Sequence, residues 1–186
     1  MKHNFRFSGT GGQGLITAGI ILAEAAILDG KEAVQSQSYG PEARGGSSKA
    51  EVIISDEPIR FGRVVCPDVL LTMSQEAANK YTSDCSKDSI VVTDSLFVKD
   101  VPGVYKERIE LPITHTATSV CGKALFANIV ALGAIVALTH CVSDEALEKA
   151  VLSRVPKGTE EANKKALEAG KQLITNRGNV SPCRQI

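Results

Sequence analysis

Asn4-Phe5-Arg6-Phe7-Ser8-Gly9-Thr10-Gly11-Gly12-Gln13-Gly14 is the stretch that decides the fold. Its first half is a short apolar strand pattern and its second half a glycine turn. Residues 13–29 then repeat apolar side chains at helical spacing, with Leu15, Ile16, Ile20, Leu22, Ala23, Ala26 and Ile27 on one broad face. Strand, glycine turn and helix form a unit that can cradle an anion. Glycine lets the backbone approach a ligand closely, and the unpaired N–H groups at the helix start point at negative charge. Gly9, Gly11 and Gly14 fall at G-x-G-x-x-G spacing, which carries meaning only in this strand–turn–helix context.

A dinucleotide reading lacks one part. Such folds place an acid at the end of the second strand to hold a ribose hydroxyl. Here that strand, residues 32–36, ends in Gln35 and Ser36, and the nearest acid, Asp29, closes the preceding helix pattern. The loop is therefore weaker as an NAD site than as a site for other anions. A tight turn without a ligand is the plain alternative.

Working outward, Gly30 is a natural helix stop. Residues 38–47 form a loop by composition, and residues 48–55 alternate as a strand. Residues 69–73 and 89–94 are short apolar runs typical of buried strands, with Ser74 placed to cap a helix over 75–81. Residues 104–111 alternate like a strand nearer an edge. Strands alternating with helices predict an α/β, Rossmann-like fold with a mainly parallel sheet flanked by helices. Residues 123–139 are apolar almost all round, broken by Asn128. That run is shorter than the roughly 20 residues a membrane span needs. It is either a helix buried in the chain or one that a partner covers. Residues 143–154 and 159–175 are charged amphipathic helices, so the chain reads as a single domain over 1–176 with a C-terminal helical segment and a mobile tail over 177–186.

Composition narrows the function. Lys+Arg and Asp+Glu are both 21, Trp is absent and aromatics are few, which argues against nucleic-acid binding. The charged start does not read as a signal peptide, so a cytoplasmic protein is expected. Five scattered cysteines show no C-x-x-C pair and three histidines show no ligand spacing, so no metal or cluster site is expected on this chain. Arg44, between Pro41 and Gly45-Gly46, could present a planar donor to phosphate or carboxylate, or simply pair with Glu42. Asp68 reads as a loop brace. No nucleophile–base pair is visible, and the residues alone stop at an α/β domain with an anion-accepting edge.

Three stretches carry a resemblance: Ser8-Gly9-Thr10-Gly11-Gly12-Gln13-Gly14, then Gln37-Ser38-Tyr39-Gly40-Pro41-Glu42-Ala43-Arg44-Gly45-Gly46, then Ala50-Glu51-Val52-Ile53-Ile54-Ser55 with Pro67-Asp68. Together they resemble the gamma subunit of 2-oxoacid:ferredoxin oxidoreductases, over nearly the whole chain. The form of the second stretch is similar to the 2-oxoglutarate type, while a pyruvate, branched-chain or aromatic 2-oxoacid type is the alternative. The resemblance implies a CoA-dependent complex that decarboxylates a 2-oxoacid and passes electrons to ferredoxin. Its thiamine diphosphate and Mg2+ would lie between alpha and beta subunits, and its iron–sulfur clusters on other chains, a ferredoxin-like delta subunit among them. It also implies that Gly9, Thr10, Gly11, Gly12, Gln13, Gly14, Tyr39, Gly40, Pro41, Glu42, Arg44, Gly45 and Gly46 face the active site or coenzyme A. None of them is expected to be catalytic. A dimer or higher assembly, with no membrane contact, is expected. A purely structural scaffold and a stand-alone nucleotide-binding protein remain the other readings.

Overall fold

The computed structural model describes residues 1–38 and 47–179. Six strands alternate with six helices: β1 Lys2–Thr10, α1 Leu15–Leu28, β2 Glu32–Ser38, β3 Ser47–Ser55, β4 Val69–Thr72, α2 Gln75–Tyr81, β5 Ile90–Asp94, β6 Glu107–Leu111, α3 Ile113–Cys121, α4 Ala127–Thr139, α5 Asp144–Arg154 and α6 Glu160–Thr175. The strands form one sheet in the order β2-β3-β1-β4-β5-β6. β1, β4, β5 and β6 pair in parallel, while β3 runs antiparallel to both β1 and β2. The α/β fold and mainly parallel direction match the sequence reading, but β3 runs against the other five strands. Because β3 inserts between β1 and β2, the end of β2 is carried away from the glycine loop, where a dinucleotide fold would need its acid. Asp29 is committed elsewhere: its carboxylate accepts the N–H and hydroxyl of Ser143 at 2.5 and 2.6 Å.

Alternation in the strands feeds two cores. Phe5, Phe7, Leu71 and Val92 face the large layer built by α1, α3, α4, α5 and α6. Leu70 and Val91 face a smaller cluster with Ala77, Ala78 and Tyr81 of α2. Ser74 caps α2 by accepting the N–H of Ala77 at 3.2 Å, as its position predicts. The apolar helix α4 is buried from Ala127 to Val136 within this one chain, packed chiefly on α6. A Cβ at Gly133 would overlap the carbonyl of Leu167, and one at Gly170 the carbonyl of Val130. These two glycines let the helix backbones approach until α6 covers the face that the sequence left open to a partner. No helix among the described residues is long and apolar enough to cross a membrane.

The Thr-rich α3 is a helix that the sequence pattern did not predict. Its start is held by buried Asp94, whose carboxylate accepts the N–H of Thr114 at 3.1 Å and the Thr114 hydroxyl. Residues Asn176–Asn179 continue past α6 as a 3-10 turn, with Arg177 ion-paired to Glu107 of β6 at 3.0 Å.

Candidate functional site

The glycine loop leaves β1 at the sheet edge where β4 and β5 also end. Gly14 holds a left-handed φ of 74°, which re-aims the chain into α1, and Gly12 has φ 92°. Gly9 serves differently: a Cβ there would collide with the folded-back side chain of Gln13. Gln13 accepts the Thr10 N–H at 2.8 Å and donates to the Met73 carbonyl at 2.9 Å, tying the end of β1 to the end of β4. Asn128, the polar break in α4, donates to the Gly14 carbonyl at 3.2 Å and accepts the Ile129 N–H at 2.9 Å. The buried amide therefore fastens the start of the apolar helix to the loop, which answers the hydrogen-bonding demand of a polar group in that position.

This bracing presents donors outward. Among the described residues, the backbone N–H groups of Gly11, Gly12 and Gly14 take no hydrogen-bond partner, and the first residues of α1 follow directly. Beside them opens a cleft of about 310 Å³, lined by Gly12 and Gln13, Met73 after β4, Phe97 after β5, Thr114 of α3, and Ala124, Leu125 and Ala127 where α4 begins. The starts of α1, α3 and α4 all meet here, so partial positive charge from three helix ends is gathered at one rim. Asp94 already satisfies α3. The cleft walls are otherwise apolar, and Phe97 and Leu125 of its lining stand exposed at 45% and 73%. The arrangement suits an anion with an apolar portion; it contains no nucleophile–base pair.

Gly9, Thr10, Gly11, Gly12, Gln13 and Gly14 are thus brought together at one rim. Tyr39, Gly40, Pro41, Glu42, Arg44, Gly45 and Gly46 lie outside the described residues. Their flanks are placed: Ser47 pairs with Thr10 across β3 and β1, and Ser38 pairs with Lys49. Both ends of that stretch therefore emerge at the glycine-loop edge. Asp68 lies at the opposite edge and braces β1, accepting the N–H and side-chain amide of Asn4 at 2.7 and 3.0 Å. Asn128, Asp94 and Thr114 were missed as site-building residues. Asn128 alone carried a sequence signal, as a polar residue in an apolar run. No group of three His, Cys, Asp or Glu side chains converges as a metal site among the described residues.

A family model described as pyruvate ferredoxin/flavodoxin oxidoreductase matches residues 4–173. The chain is 49% identical over 176 residues to the 2-oxoglutarate synthase subunit KorC of Methanocaldococcus jannaschii, covering 93% of this chain and 94% of the relative. It is 30% identical to the pyruvate/ketoisovalerate oxidoreductases common subunit gamma of Pyrococcus abyssi, covering 87% and 91%. Among solved structures, the keto/oxoacid ferredoxin oxidoreductase gamma subunit of Geobacter sulfurreducens superposes with a TM-score of 0.85 at 51% identity, covering 95% of this chain and 98% of that one. The 2-oxoglutarate:ferredoxin oxidoreductase of Magnetococcus marinus, solved with 2-oxoglutarate, coenzyme A and succinyl-CoA, shares the fold with a TM-score of 0.84 at 24% identity, covering 98% of this chain and 32% of that one.

Proposed function

The chain belongs to the pyruvate ferredoxin/flavodoxin oxidoreductase family, and from that premise we propose that it serves as the gamma subunit of a 2-oxoglutarate:ferredoxin oxidoreductase. The observation that carries the substrate assignment is the difference in likeness. Identity is 49% to a relative named for 2-oxoglutarate and 30% to one named for pyruvate and ketoisovalerate, over comparable spans. The complex converts a 2-oxoacid and coenzyme A to the acyl-CoA and CO2, and two electrons leave toward ferredoxin. Thiamine diphosphate with Mg2+ would supply the carbanion chemistry of decarboxylation, and it and the clusters would be held by alpha, beta and delta-type partners. The described residues offer no ligand set for a metal.

This chain's own part is binding and positioning. The glycine-loop amides and the start of α1 face an anion, and the apolar cleft beside them suits the thin uncharged arm of coenzyme A. Phosphate at the rim and the arm along Met73, Phe97 and Leu125 is the proposed placement. Phe97 and Leu125, exposed at the cleft, form the surface a catalytic subunit would close over. Arg44 is proposed, from its chemistry, as a second partner of the same anion.

Reconstitution tests the assignment. The chain, combined with its cognate subunits, is assayed for coenzyme A-dependent ferredoxin reduction with 2-oxoglutarate, pyruvate and 3-methyl-2-oxobutanoate. The proposal expects 2-oxoglutarate to give the highest kcat/KM; preference for either other acid would overturn it. Arg44→Ala should raise the KM for coenzyme A by roughly 10- to 150-fold, the equivalent of one charge-assisted contact worth about 1.5–3 kcal/mol. Decarboxylation without coenzyme A should change far less.

A further inference from the structure

Cys66 and Cys85 flank one serine hydroxyl at the sheet edge opposite the glycine loop. Cys66 is exposed and ends the strap that leads into β4; Cys85 is half-buried and precedes the turn into β5. Ser89 Oγ donates to the Pro67 carbonyl at 2.7 Å and accepts the Ser86 N–H at 2.9 Å. Cys66 Sγ lies 3.8 Å from that oxygen, and Cys85 directly precedes Ser86, whose N–H the same oxygen accepts. The two entry segments are also locked to each other. Val69 stands opposite Ile90 in parallel pairing, and the Ile90 N–H donates to the Asp68 carbonyl at 2.9 Å.

We propose that Cys66 and Cys85 are a reversible oxidation site, closed to a disulfide by hydrogen peroxide, which staples the strap before β4 to the turn before β5. Cys66, the accessible sulfur, meets the oxidant first. Its thiolate attacks one peroxide oxygen, an S–O bond forms as the O–O bond breaks, and hydroxide leaves and takes up the proton the thiol released to become water, giving a sulfenic acid. The Cys85 sulfur then attacks the Cys66 sulfur; an S–S bond forms, the S–O bond breaks, and a second water leaves with the Cys85 proton. Two thiols are oxidised and one peroxide is reduced to two waters. Burial pushes the Cys85 thiol up to about 11, with Arg6 and Asp84 also facing it, so closure quickens as pH rises. The staple sits at the far end of the parallel strands from the glycine loop, so it guards the fold without altering the ligand cleft.

The test uses the full chain, reduced, freed of reductant and treated with hydrogen peroxide. Free thiols are then alkylated and the chain digested without reduction. The expected product is a cross-linked peptide pair joining Cys66 to Cys85, two hydrogens lighter than the separate peptides and reopened by dithiothreitol. Cys85→Ser should instead accumulate a dimedone-trappable sulfenic acid at Cys66, and Cys66→Ser should leave Cys85 unmodified at the same dose. Sulfinic acid at Cys66 beside an unmodified Cys85 in the folded unsubstituted chain would overturn the proposal. So would linkage of Cys66 only between chains. The oxidised chain should melt at a higher temperature than the reduced one; an unchanged or lower value would contradict the stapling role.

Discussion

Arg6 is the most demanding side chain in the molecule. It is 2% exposed, yet it carries a full charge into the space between β1, α2 and the strap before β4. Its guanidinium is satisfied on every side: Nε donates to Glu51 at 2.8 Å, Nη1 to Asp84 at 2.5 Å and Nη2 to the Val64 carbonyl at 2.8 Å, with the Tyr81 ring 5.8 Å away. Replacing it by Ala leaves buried Glu51 with Lys49 as its remaining cation and takes the donor from Asp84 and the Val64 carbonyl. Urea unfolding of Arg6→Ala should show a loss of about 3–5 kcal/mol, the range for breaking one half of a buried ion pair. A loss below about 1 kcal/mol, the value of an exposed pair, would show that water reaches the site. His3 gives a pH-dependent counterpart. Its Nε2 is buried without a partner, and burial lowers its pKa from 6.5, against the opposing pull of Asp68 and with Lys31 reinforcing it. The unfolded chain therefore binds a proton more readily than the folded one. Stability should be fully present above pH 6.5 and be lost as pH falls through the lower folded value. Comparing unfolding midpoints across that window should show a shallower slope for His3→Phe than for the native chain; equal slopes would remove His3 from the account.

At the scale of elements, the contact between α4 and α6 decides how the molecule closes. Gly133 and Gly170 are open only because the facing backbone occupies the place of their side chains. Gly133→Ala should cost about 1–3 kcal/mol, as overpacking does, measured by the urea midpoint. Ala131 is 1% exposed inside the same layer, so Ala131→Glu should give insoluble or unfolded chain rather than a soluble monomer. A well-folded Ala131→Glu protein would show that this face is not internal. How much of this was legible follows from the period of each segment. Ser74, Gly30 and the apolar runs of β4 and β5 mark their elements by local chemistry, and the elements lie within a residue or two of where that chemistry puts them. α3 was not legible, because its start is made by Asp94, which is nineteen positions earlier than the helix and meets it only in the folded sheet. The insertion of β3 between β2 and β1 was equally hidden, since hydrophobic alternation says which face a strand buries and nothing about its neighbour. The burial of Arg6 carried no sequence signal, because the strap and α2 that cover it come from distant sequence.

For the whole molecule, the sheet separates two roles. One edge carries the glycine loop, the cleft and an apolar rim; the other carries Asp68, which fastens the start of β1, and the free thiols of Cys66 and Cys85. The glycine turn between β1 and α1 was readable from sequence, whereas the cleft beside it needed Met73, Phe97, Thr114 and Leu125 to be brought in from four later segments. Gly11 offers the most direct test that this edge serves coenzyme A. It has ordinary φ, and a side chain there would meet nothing within 4 Å, so substitution leaves the fold alone. Gly11→Asp sets a negative charge among the loop amides, and Gly11→Asn sets the same shape without the charge. In the reconstituted complex with saturating 2-oxoglutarate, the KM for coenzyme A should rise roughly tenfold or more with Asp, about 1.4 kcal/mol or more of lost binding, and stay near the native value with Asn. Native KM values for coenzyme A in both variants, in an intact complex, would contradict the account.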